Sequence, residues 1–194
     1  MILTPDAQND IDAKVLALEK EIAEKKSELK KLRSELPAQE VDDYVFEDWN
    51  GGEVRLSELF GNKDELILVS NMGKSCRYCT LWADNYNGIV KPLNDRAAFV
   101  VVSPDSPEIQ MEFAQSRGWN FKMVSHQSNS FIKDFGFQGD DHVMPGVMSF
   151  TKENGKIYFH SRTYFGPGDN YCNMWDFIDL LPKGVNGWVP KYDY

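Results

Sequence analysis

Two cysteines three residues apart, Cys76 and Cys79, are the residues of this chain best suited to chemistry. They lie in the stretch NMGKSCRYCTLW, residues 71–82, directly after the apolar run ELILVSN at 65–71. In the first turn of a helix, side chains three apart share a face, so two such sulfurs can reach bonding distance. The spacing therefore fits a redox dithiol, half of a metal site, or two inert buried thiols.

A redox cysteine needs neighbours that stabilise negative charge, because the thiolate is the form that attacks a disulfide. We predict a helix over about residues 76–91 with Ser75 as its N-cap. Cys76 would then lie at the helix N-terminus, where unpaired backbone N–H groups and the helix dipole favour an anion. Lys74 and Arg77 would add positive charge and stabilise the thiolate further. The second cysteine would lie one turn deeper, suited to resolve a mixed disulfide.

The remaining cysteine and the histidines argue against a metal site. A structural zinc site needs four ligands, often as two close pairs. The other candidates are instead scattered along the chain: Cys172, His126, His142 and His160. We therefore predict no metal and assign the histidines no role, His160 being expected as a hydrogen-bonded sheet residue. Cys172 is expected to be a core thiol, with a third redox group as the alternative.

Composition and charge limit the partners of the chain. The formal charge of −9 over 194 residues disfavours binding to nucleic acid or to anionic membranes, because both require clustered Lys and Arg. The stretch MILTPDAQNDID has no basic region followed by an apolar one, and no later stretch approaches the ~20 apolar residues of a membrane span. Three cysteines do not make a disulfide scaffold. We expect a cytoplasmic protein with no cofactor and no nucleic-acid or membrane partner.

The first part of the chain has the pattern of one long helix, residues 6–36, ended by Pro37. Its apolar residues recur at alternating steps of four and three, interrupted only by Lys25: Ile11, Val15, Leu18, Ile22, Leu29, Leu32 and Leu36. Such a heptad seam is typical of a coiled coil, so we expect a homodimer through this helix. An amphipathic helix packed on its own domain is the alternative. The predicted domains are residues 1–37 and 38–194.

Residues after Pro37 alternate between strand and helix patterns. Two hairpins are predicted, one around DWNGG at 48–52 and one around Asn154-Gly155. The apolar runs ELILVSN and AAFVVVS indicate buried strands, and Ser106-Pro107 and Gly118 indicate the two ends of a helix. A last helix is expected to begin with Asp169 as its cap.

From residue 65 the order is β-α-β, a connection with its own helix, and then β-β-α, with both cysteines at the first strand-to-helix turn. This order predicts an α/β, thioredoxin-like fold behind the long N-terminal helix. Met144 and Pro145 precede the first strand of the second hairpin, where that fold usually holds a cis proline facing the dithiol. We therefore predict a cis Met144–Pro145 bond beside Cys76 and a role for both residues in binding substrate.

Several blocks after Pro37 carry a family resemblance: GKSCRYCTLWADNYNG (73–88), SRGWNFKMVS (116–125), MPGVMSF (144–150), FGPGDNYC (165–172), DLLPKG and GWVPKYDY. With these blocks the chain resembles uncharacterised bacterial proteins that have a thioredoxin-like domain and are labelled predicted dithiol-disulfide oxidoreductases. The resemblance implies that fold and that activity without naming a substrate. Ordinary thioredoxins have Trp before the first cysteine and Gly-Pro between the two, whereas this chain has Ser75 and Arg77-Tyr78. The redox potential and the direction of electron flow therefore stay open.

The leading hypothesis is a dithiol-disulfide oxidoreductase in which Cys76 attacks a protein or small-molecule disulfide and Cys79 resolves the intermediate. A peroxiredoxin-like peroxidase is the first alternative, because YVFEDWNGGEVRLSELFG (44–61) resembles the lead-in strands of that branch. Against it, a hydroxyl side chain is expected three residues before a peroxidatic cysteine. That position holds Gly73 if Cys76 is the peroxidatic residue, and Cys76 if it is Cys79. The second alternative is a non-catalytic interaction module with structural or zinc-binding thiols.

Overall fold

A computed structural model describes residues 5–139 and 142–194, with side chains from residue 8 onward. The chain divides into two compact units, Met1–Pro37 and Ala38–Tyr194. The first unit contains one helix, α1 (Pro5–Ser34), so the predicted long helix is confirmed. None of the helices in the described ranges is long and apolar enough to cross a membrane.

The second unit is built on a mixed β-sheet. Its described strands are β1 (Gln39–Val41), β2 (Val45–Glu47), β3 (Glu53–Arg55), β4 (Glu65–Ser70), β5 (Ala98–Ser103), β6 (Lys122–Ser125), β7 (Gly146–Glu153) and β8 (Lys156–Tyr164). They lie in the order β1-β8-β7-β4-β5-β6-β2-β3. The β4–β5 and β5–β6 pairs are parallel, and the other pairs are antiparallel.

Helices connect these strands and cover both faces of the sheet. They are α2 (Leu56–Leu59), α3 (Arg77–Tyr86), α4 (Val90–Arg96), α5 (Pro107–Arg117), α6 (Phe131–Asp134) and α7 (Met174–Asp179). From β4 onward the order is β-α-β, a helical connection, β and then β-β-α. The predicted thioredoxin-like α/β order is confirmed.

The alternation of side chains along the central strands explains the two-sided core. On β4, Leu66 and Leu68 face one apolar cluster, whereas Ile67 and Val69 face the other. The first cluster is closed by residues of α2 and α6, and the second by residues of α3, α5 and α7. A strand buried on both faces has to be apolar at nearly every position, which is why ELILVS and AFVVVS are continuous runs.

Both predicted hairpins are present. The β7–β8 turn has Asn154 and Gly155 at φ of 52° and 79°, the pair of positive values that a two-residue type I′ turn requires. The β2–β3 turn is held by the Asp48 carboxylate, which accepts hydrogen bonds from the backbone N–H groups of Asn50 and Gly52. These short turns fix the strand register on either side.

The predicted ends of α5 are confirmed. Ser106 is the N-cap, Pro107 is the first helical residue, and Gly118 ends the helix in the left-handed conformation at φ of 65°. That conformation favours glycine because a Cβ atom would be strained there.

The predicted helix over about residues 76–91 was wrong in its extent, because the chain forms two helices, α3 and α4, in this region. Asn87, directly after α3, uses its side chain to bond the Gly118 carbonyl and the Asn120 backbone N–H, both at 3.1 Å. Gly88 follows, a residue that disfavours a helix interior by about 1 kcal/mol. These tertiary bonds and the glycine end α3 early.

Candidate active site

The cysteine pair lies at the carboxyl edge of the parallel strands, in the turn from β4 to α3. The backbone N–H of Asn71, just after β4, donates to the carbonyl of Val102 at 2.9 Å and so extends the pairing with β5 by one residue. Binding sites of open α/β sheets form at this edge, where the strands end and the helices begin. The topology therefore places the cysteine turn at the edge of the sheet where a substrate can bind, with Cys76 partly exposed and Cys79 buried.

Asn71 holds the turn together from the inside. Its buried side chain accepts a hydrogen bond from the backbone N–H of Gly73 at 2.8 Å and donates to the carbonyl of Cys79 at 3.4 Å. One amide thus ties the end of the strand to the turn and to the first turn of α3. This fixes the approach of the chain to the cysteines.

Asp105, in the loop after β5, supports the same turn from the neighbouring strand. Its Oδ2 atom accepts the backbone N–H of Lys74 at 2.7 Å. Gly73 has φ of 92°, and a Cβ atom there would lie 2.7 Å from that same oxygen. The turn therefore requires glycine at position 73, for its backbone conformation and for the closeness of the carboxylate.

Cys76 is the N-cap of α3 and is partly exposed. Its sulfur accepts the backbone N–H of Cys79 at 3.1 Å. A hydrogen bond from the Cys79 thiol, together with the backbone N–H groups of Cys79 and Tyr78, lowers the pKa of Cys76 to about 7, although partial burial opposes the shift. A substantial fraction of this cysteine is therefore thiolate at neutral pH.

Lys74, Ser75 and Arg77 were expected to stabilise the thiolate, and that role stays a prediction. Ser75 is not the N-cap, because Cys76 occupies that position, so that prediction was wrong. The side chains of Lys74, Ser75 and Arg77 are exposed, and none is among the groups that lower the pKa of Cys76. The helix N-terminus does stabilise the anion, but through backbone N–H groups and the second cysteine.

Cys79 is buried one turn further along α3 and lies in a contrasting environment. Its sulfur accepts the backbone N–H of Met72 at 3.4 Å. Donation of its thiol hydrogen bond to Cys76 and its burial both raise the pKa of Cys79 well above the usual value for a thiol. All three cysteines of the chain are free thiols in the structure. The pair therefore consists of a partly exposed sulfur with a lowered pKa and a buried sulfur with a raised pKa.

Met144 and Pro145 lie at the same edge of the sheet, because Ser70 at the end of β4 pairs with Gly146 at the start of β7. The predicted cis bond was wrong: the peptide bonds of the described residues, including Met144–Pro145, are trans. The Met144 backbone N–H donates to the Phe137 carbonyl, and the Met144 carbonyl accepts the Ser70 hydroxyl. The Pro145 carbonyl accepts the backbone N–H of Phe165. A trans X–Pro bond is the lower-energy isomer and satisfies these three partners. Substrate binding by Met144 and Pro145 stays a prediction.

Aromatic rings surround the buried side of the pair. Tyr78 stacks on Trp175 of α7, with ring centroids 6.3 Å apart, and lies a similar distance from Trp82. Cys172 is fully buried in the same apolar cluster as Cys79, and burial raises the pKa of its thiol. The prediction of Cys172 as a core thiol agrees with this placement, although it precedes α7 and is not within a helix.

Asp169 does not cap the last helix as expected, since α7 begins at Met174 with Asn173 in the N-cap position. Its carboxylate accepts the backbone N–H groups of Gly166 and Tyr171 and, at 3.4 Å, the indole N–H of Trp82 on α3. It therefore anchors the FGPGDN loop to the helix that carries the cysteines. The residues between Asp169 and α7, which were expected to be helical, therefore belong to a loop.

The side chains of His126 and His160 form no hydrogen bond to the cysteine turn. His160 bonds the Thr151 hydroxyl through Nε2 at 2.8 Å, as expected of a sheet residue. His126 is buried after β6, and burial lowers its pKa. Within residues 5–139 and 142–194, no group of three or more His, Cys, Asp or Glu side chains is placed to hold a metal ion.

Asn71 and Asp105 are the supporting residues that the sequence analysis missed. Asn71 directly follows β4, and Asp105 lies two residues after β5, the parallel neighbour of β4. Parallel neighbours end at one edge of a sheet, so residues just after such strands meet there. Applied to the two apolar runs, this rule would have brought both side chains to the cysteine turn.

The chain is similar in structure to solved peroxiredoxins. It shares 20% identity with the peroxidoxin BcpB of Mycobacterium tuberculosis, covering 73% of this chain and 92% of that one, with a TM-score of 0.53. It shares 14% identity with peroxiredoxin Q of Xanthomonas campestris, covering 70% of this chain and 86% of that one, with a TM-score of 0.56. With a hypothetical protein of Sinorhizobium meliloti it shares 13% identity, covering 80% of this chain and 87% of that one, with a TM-score of 0.51. At such identities the likeness shows the fold alone. The fold is thioredoxin-like.

The family is defined by sequence. Residues 2–193 match the profile of the family described as bacterial protein of unknown function, DUF899, and the chain belongs to that family. No curated protein matches the chain in sequence. The family therefore agrees with the resemblance found in the cysteine motif and its flanking blocks, and the chemistry has to be argued from the site.

Proposed function

We propose that the protein is a dithiol-disulfide oxidoreductase in which Cys76 attacks and Cys79 resolves. The observation that carries the proposal is the contrast between two neighbouring sulfurs: Cys76 is a partly exposed N-cap that accepts the backbone N–H of Cys79, whereas Cys79 is buried. The pKa of Cys76 is lowered to about 7 at the helix N-terminus, while burial and the bond to Cys76 raise that of Cys79. A nucleophile must be ionised and accessible, whereas a resolving thiol acts second and can stay protonated until then.

The exchange balances in two steps. The Cys76 thiolate attacks one sulfur of a substrate disulfide, the substrate S–S bond breaks, and one substrate thiolate leaves, which gives a mixed disulfide. Cys79 then loses its proton and attacks the Cys76 sulfur, which releases the second substrate thiol and leaves a Cys76–Cys79 disulfide. Two electrons pass from the pair to the substrate, and an external dithiol restores the reduced pair. The same steps in reverse would oxidise a substrate dithiol.

A peroxidase reaction is the second candidate, favoured by the similarity in fold to peroxiredoxins. In that case the Cys76 thiolate would attack a peroxide O–O bond, giving a sulfenic acid and releasing water or alcohol. Condensation with Cys79 would release a further water and form the same disulfide. Gly73 offers no hydroxyl three residues before the nucleophile, which weighs against this candidate.

Stopped-flow measurements on the reduced protein can separate the two candidates. Oxidation would be followed with insulin as the protein disulfide, with oxidised glutathione as the small disulfide, and with hydrogen peroxide. We expect one of the disulfides to oxidise the pair faster than it oxidises free dithiothreitol at equal thiolate concentration, and peroxide to show no such advantage. Cys76→Ser is the inactive control and Cys172→Ser the active one.

Two other results would support the peroxidase or the non-catalytic module instead. An advantage with peroxide alone would establish the peroxidase. No advantage with any oxidant would leave the non-catalytic interaction module, and metal analysis of protein purified under reducing conditions would then show whether the thiols hold zinc.

A further inference from the structure

Helix α1 carries an apolar stripe that is open to solvent. Side chains are described from residue 8 onward, and all those between 8 and 34 are exposed except that of Arg33. The stripe residues are 43–59% exposed: Ile11, Val15, Leu18, Ile22, Leu29 and Leu32. A 30-residue helix is about 45 Å long, and a stripe of this length is stabilised chiefly by packing against a partner.

The residue types along the stripe fit one geometry. The alternating steps place Val15, Ile22 and Leu29 at heptad position a, and Ile11, Leu18 and Leu32 at position d. Two of the three a residues are β-branched, and two of the three d residues are leucine. β-branched residues at a with leucine at d favour two parallel strands over higher assemblies. The stripe therefore indicates a two-stranded pairing of like helices.

The charges flanking the stripe favour parallel over antiparallel pairing. In a parallel, in-register pair, each g residue faces the e residue five positions later on the partner helix. Between residues 8 and 34 there are three complete pairs, and each joins opposite charges: Lys14 with Glu19, Glu21 with Lys26, and Glu28 with Arg33. Two-fold symmetry makes six such contacts. An antiparallel pair with Glu21 against Glu28 would join two like charges, although Glu19 would face Lys26 and Asp12 would face Arg33, so it is the less favourable of the two orientations.

We propose that α1 pairs with α1 of a second copy of this chain as a parallel, in-register, two-stranded coiled coil. In the single chain, Lys14 and Glu28 bond Asp10 and Lys25 within the helix. Exposed pairs of this kind contribute little, so exchanging them for partners on the second helix costs little. Lys25 occupies a d position, where it would face its own copy and weaken the coil. The proposal is independent of the redox function.

Charge reversal on the full-length chain tests the pairing. One variant, Glu21→Lys with Glu28→Lys, reverses two g positions, and the other, Lys26→Glu with Arg33→Glu, reverses their e partners. By light scattering we expect the native chain to have the mass of two chains. Each variant alone should dimerise roughly 10- to 100-fold more weakly, because four attractive contacts become repulsive. An equimolar mixture should regain the two-chain mass, since all six contacts are again attractive.

Cysteine cross-linking tests the orientation. The test uses a Cys76→Ser, Cys79→Ser background, so that oxidation acts on the introduced thiol. In a parallel pair, Ile11→Cys then places two thiols opposite each other at position d, and mild oxidation should give a covalent dimer. The matched control, Ala13→Cys, lies on the outward face at position f and should give none. A single-chain mass for the native protein at 50 µM, a mass of three or four chains, dimers insensitive to both charge reversals, or equal cross-linking by the two cysteine variants would each overturn the proposal.

Discussion

At the scale of single residues, the difference between the two sulfurs comes from one helix start. The chain enters α3 with Cys76 at the N-cap and Cys79 in the first turn, so backbone N–H groups and one thiol hydrogen bond point at the first sulfur. The second sulfur is buried behind it under the aromatic residues of α3 and α7. Three residues of separation are thus enough to move the two pKa values in opposite directions.

The reactivity of Cys76 should follow its own titration. Because only the thiolate is alkylated at an appreciable rate, labelling of reduced protein by iodoacetamide should rise with pH through a midpoint of about 7 and then level off. Peptide mass spectrometry would identify the labelled residue and give the rate at each pH. Cys79 and Cys172 should label far more slowly, since both are buried.

The control for this titration removes the hydrogen-bond donor. Cys79→Ala deletes the group that contributes most to the lowered pKa of Cys76, so the midpoint should move upward by roughly one pH unit. Cys79→Ser keeps a hydroxyl donor and should move it less. A midpoint that stays near 7 in the alanine variant would show that the backbone N–H groups alone hold the thiolate.

At the scale of elements, α3 is held against α5 by a polar contact. Asp84 on α3 accepts two hydrogen bonds from the Arg117 guanidinium, at 2.6 and 2.8 Å, and one from the Trp119 indole at 2.8 Å. The two charged side chains are only 34% and 16% exposed. This contact orients the helix that carries both cysteines.

Asp84→Asn should therefore destabilise the fold by about 2 kcal/mol, because the Arg117 charge would be left largely buried and without its counter-ion. Urea unfolding followed by far-ultraviolet circular dichroism would measure the change. The exposed pair Glu40–Lys156 is the control, and Glu40→Gln should leave the unfolding midpoint unchanged. Equal effects of the two substitutions would contradict a specific role for the Asp84 contact.

The elements were largely predictable where local chemistry determines them. Ser106-Pro107 and Gly118 bound α5, and Asn154-Gly155 form the β7–β8 turn, because caps and tight turns depend on residues within a few positions. The apolar runs of β4 and β5 are visible because both faces of those strands are buried.

The errors fall where distant residues decide. Asn87 ends α3 by forming hydrogen bonds with residues 118 and 120. The Asp169 carboxylate accepts the indole N–H of Trp82 instead of capping a helix. The backbone groups of Met144 and Pro145 form hydrogen bonds with residues far along the chain. None of these partners is visible in a local pattern. At the site, the cysteine spacing was readable, whereas the support from Asn71 and Asp105 depends on which strands are neighbours.

At the scale of the whole molecule, the lowered pKa of Cys76 couples the site to stability. In the folded reduced protein this thiol loses its proton at about 7, whereas the unfolded chain keeps it until about 9. Between these values the Cys76 thiol binds more protons in the unfolded state, so its contribution to the free energy of unfolding should rise with pH. The stabilisation is fully present above about pH 9 and is lost as pH falls through 7.

The expected rise is roughly 1–2 kcal/mol, after allowing for solvent screening of the partly exposed sulfur. It would be measured by urea unfolding of the reduced protein at several pH values between 6 and 8, below the range in which the raised pKa values of Cys79 and Cys172 act in the opposite direction. Cys76→Ser should abolish the rise, and Cys172→Ser should retain it. A native stability that falls over this interval would contradict the assignment of a stabilised thiolate.

The division of labour between the two thiols is tested most directly by trapping the mixed disulfide. Reduced Cys79→Ser and Cys76→Ser proteins would be mixed with a protein disulfide such as insulin, quenched by alkylation, and resolved by non-reducing electrophoresis and intact mass spectrometry. In Cys79→Ser the first attack still occurs but no resolving thiol is near, so a covalent adduct through Cys76 should accumulate. Cys76→Ser should give no adduct and no turnover, while Cys172→Ser should turn over normally. An adduct that builds up in Cys76→Ser instead would reverse the roles, and the absence of an adduct in both variants would contradict dithiol-disulfide exchange at this site.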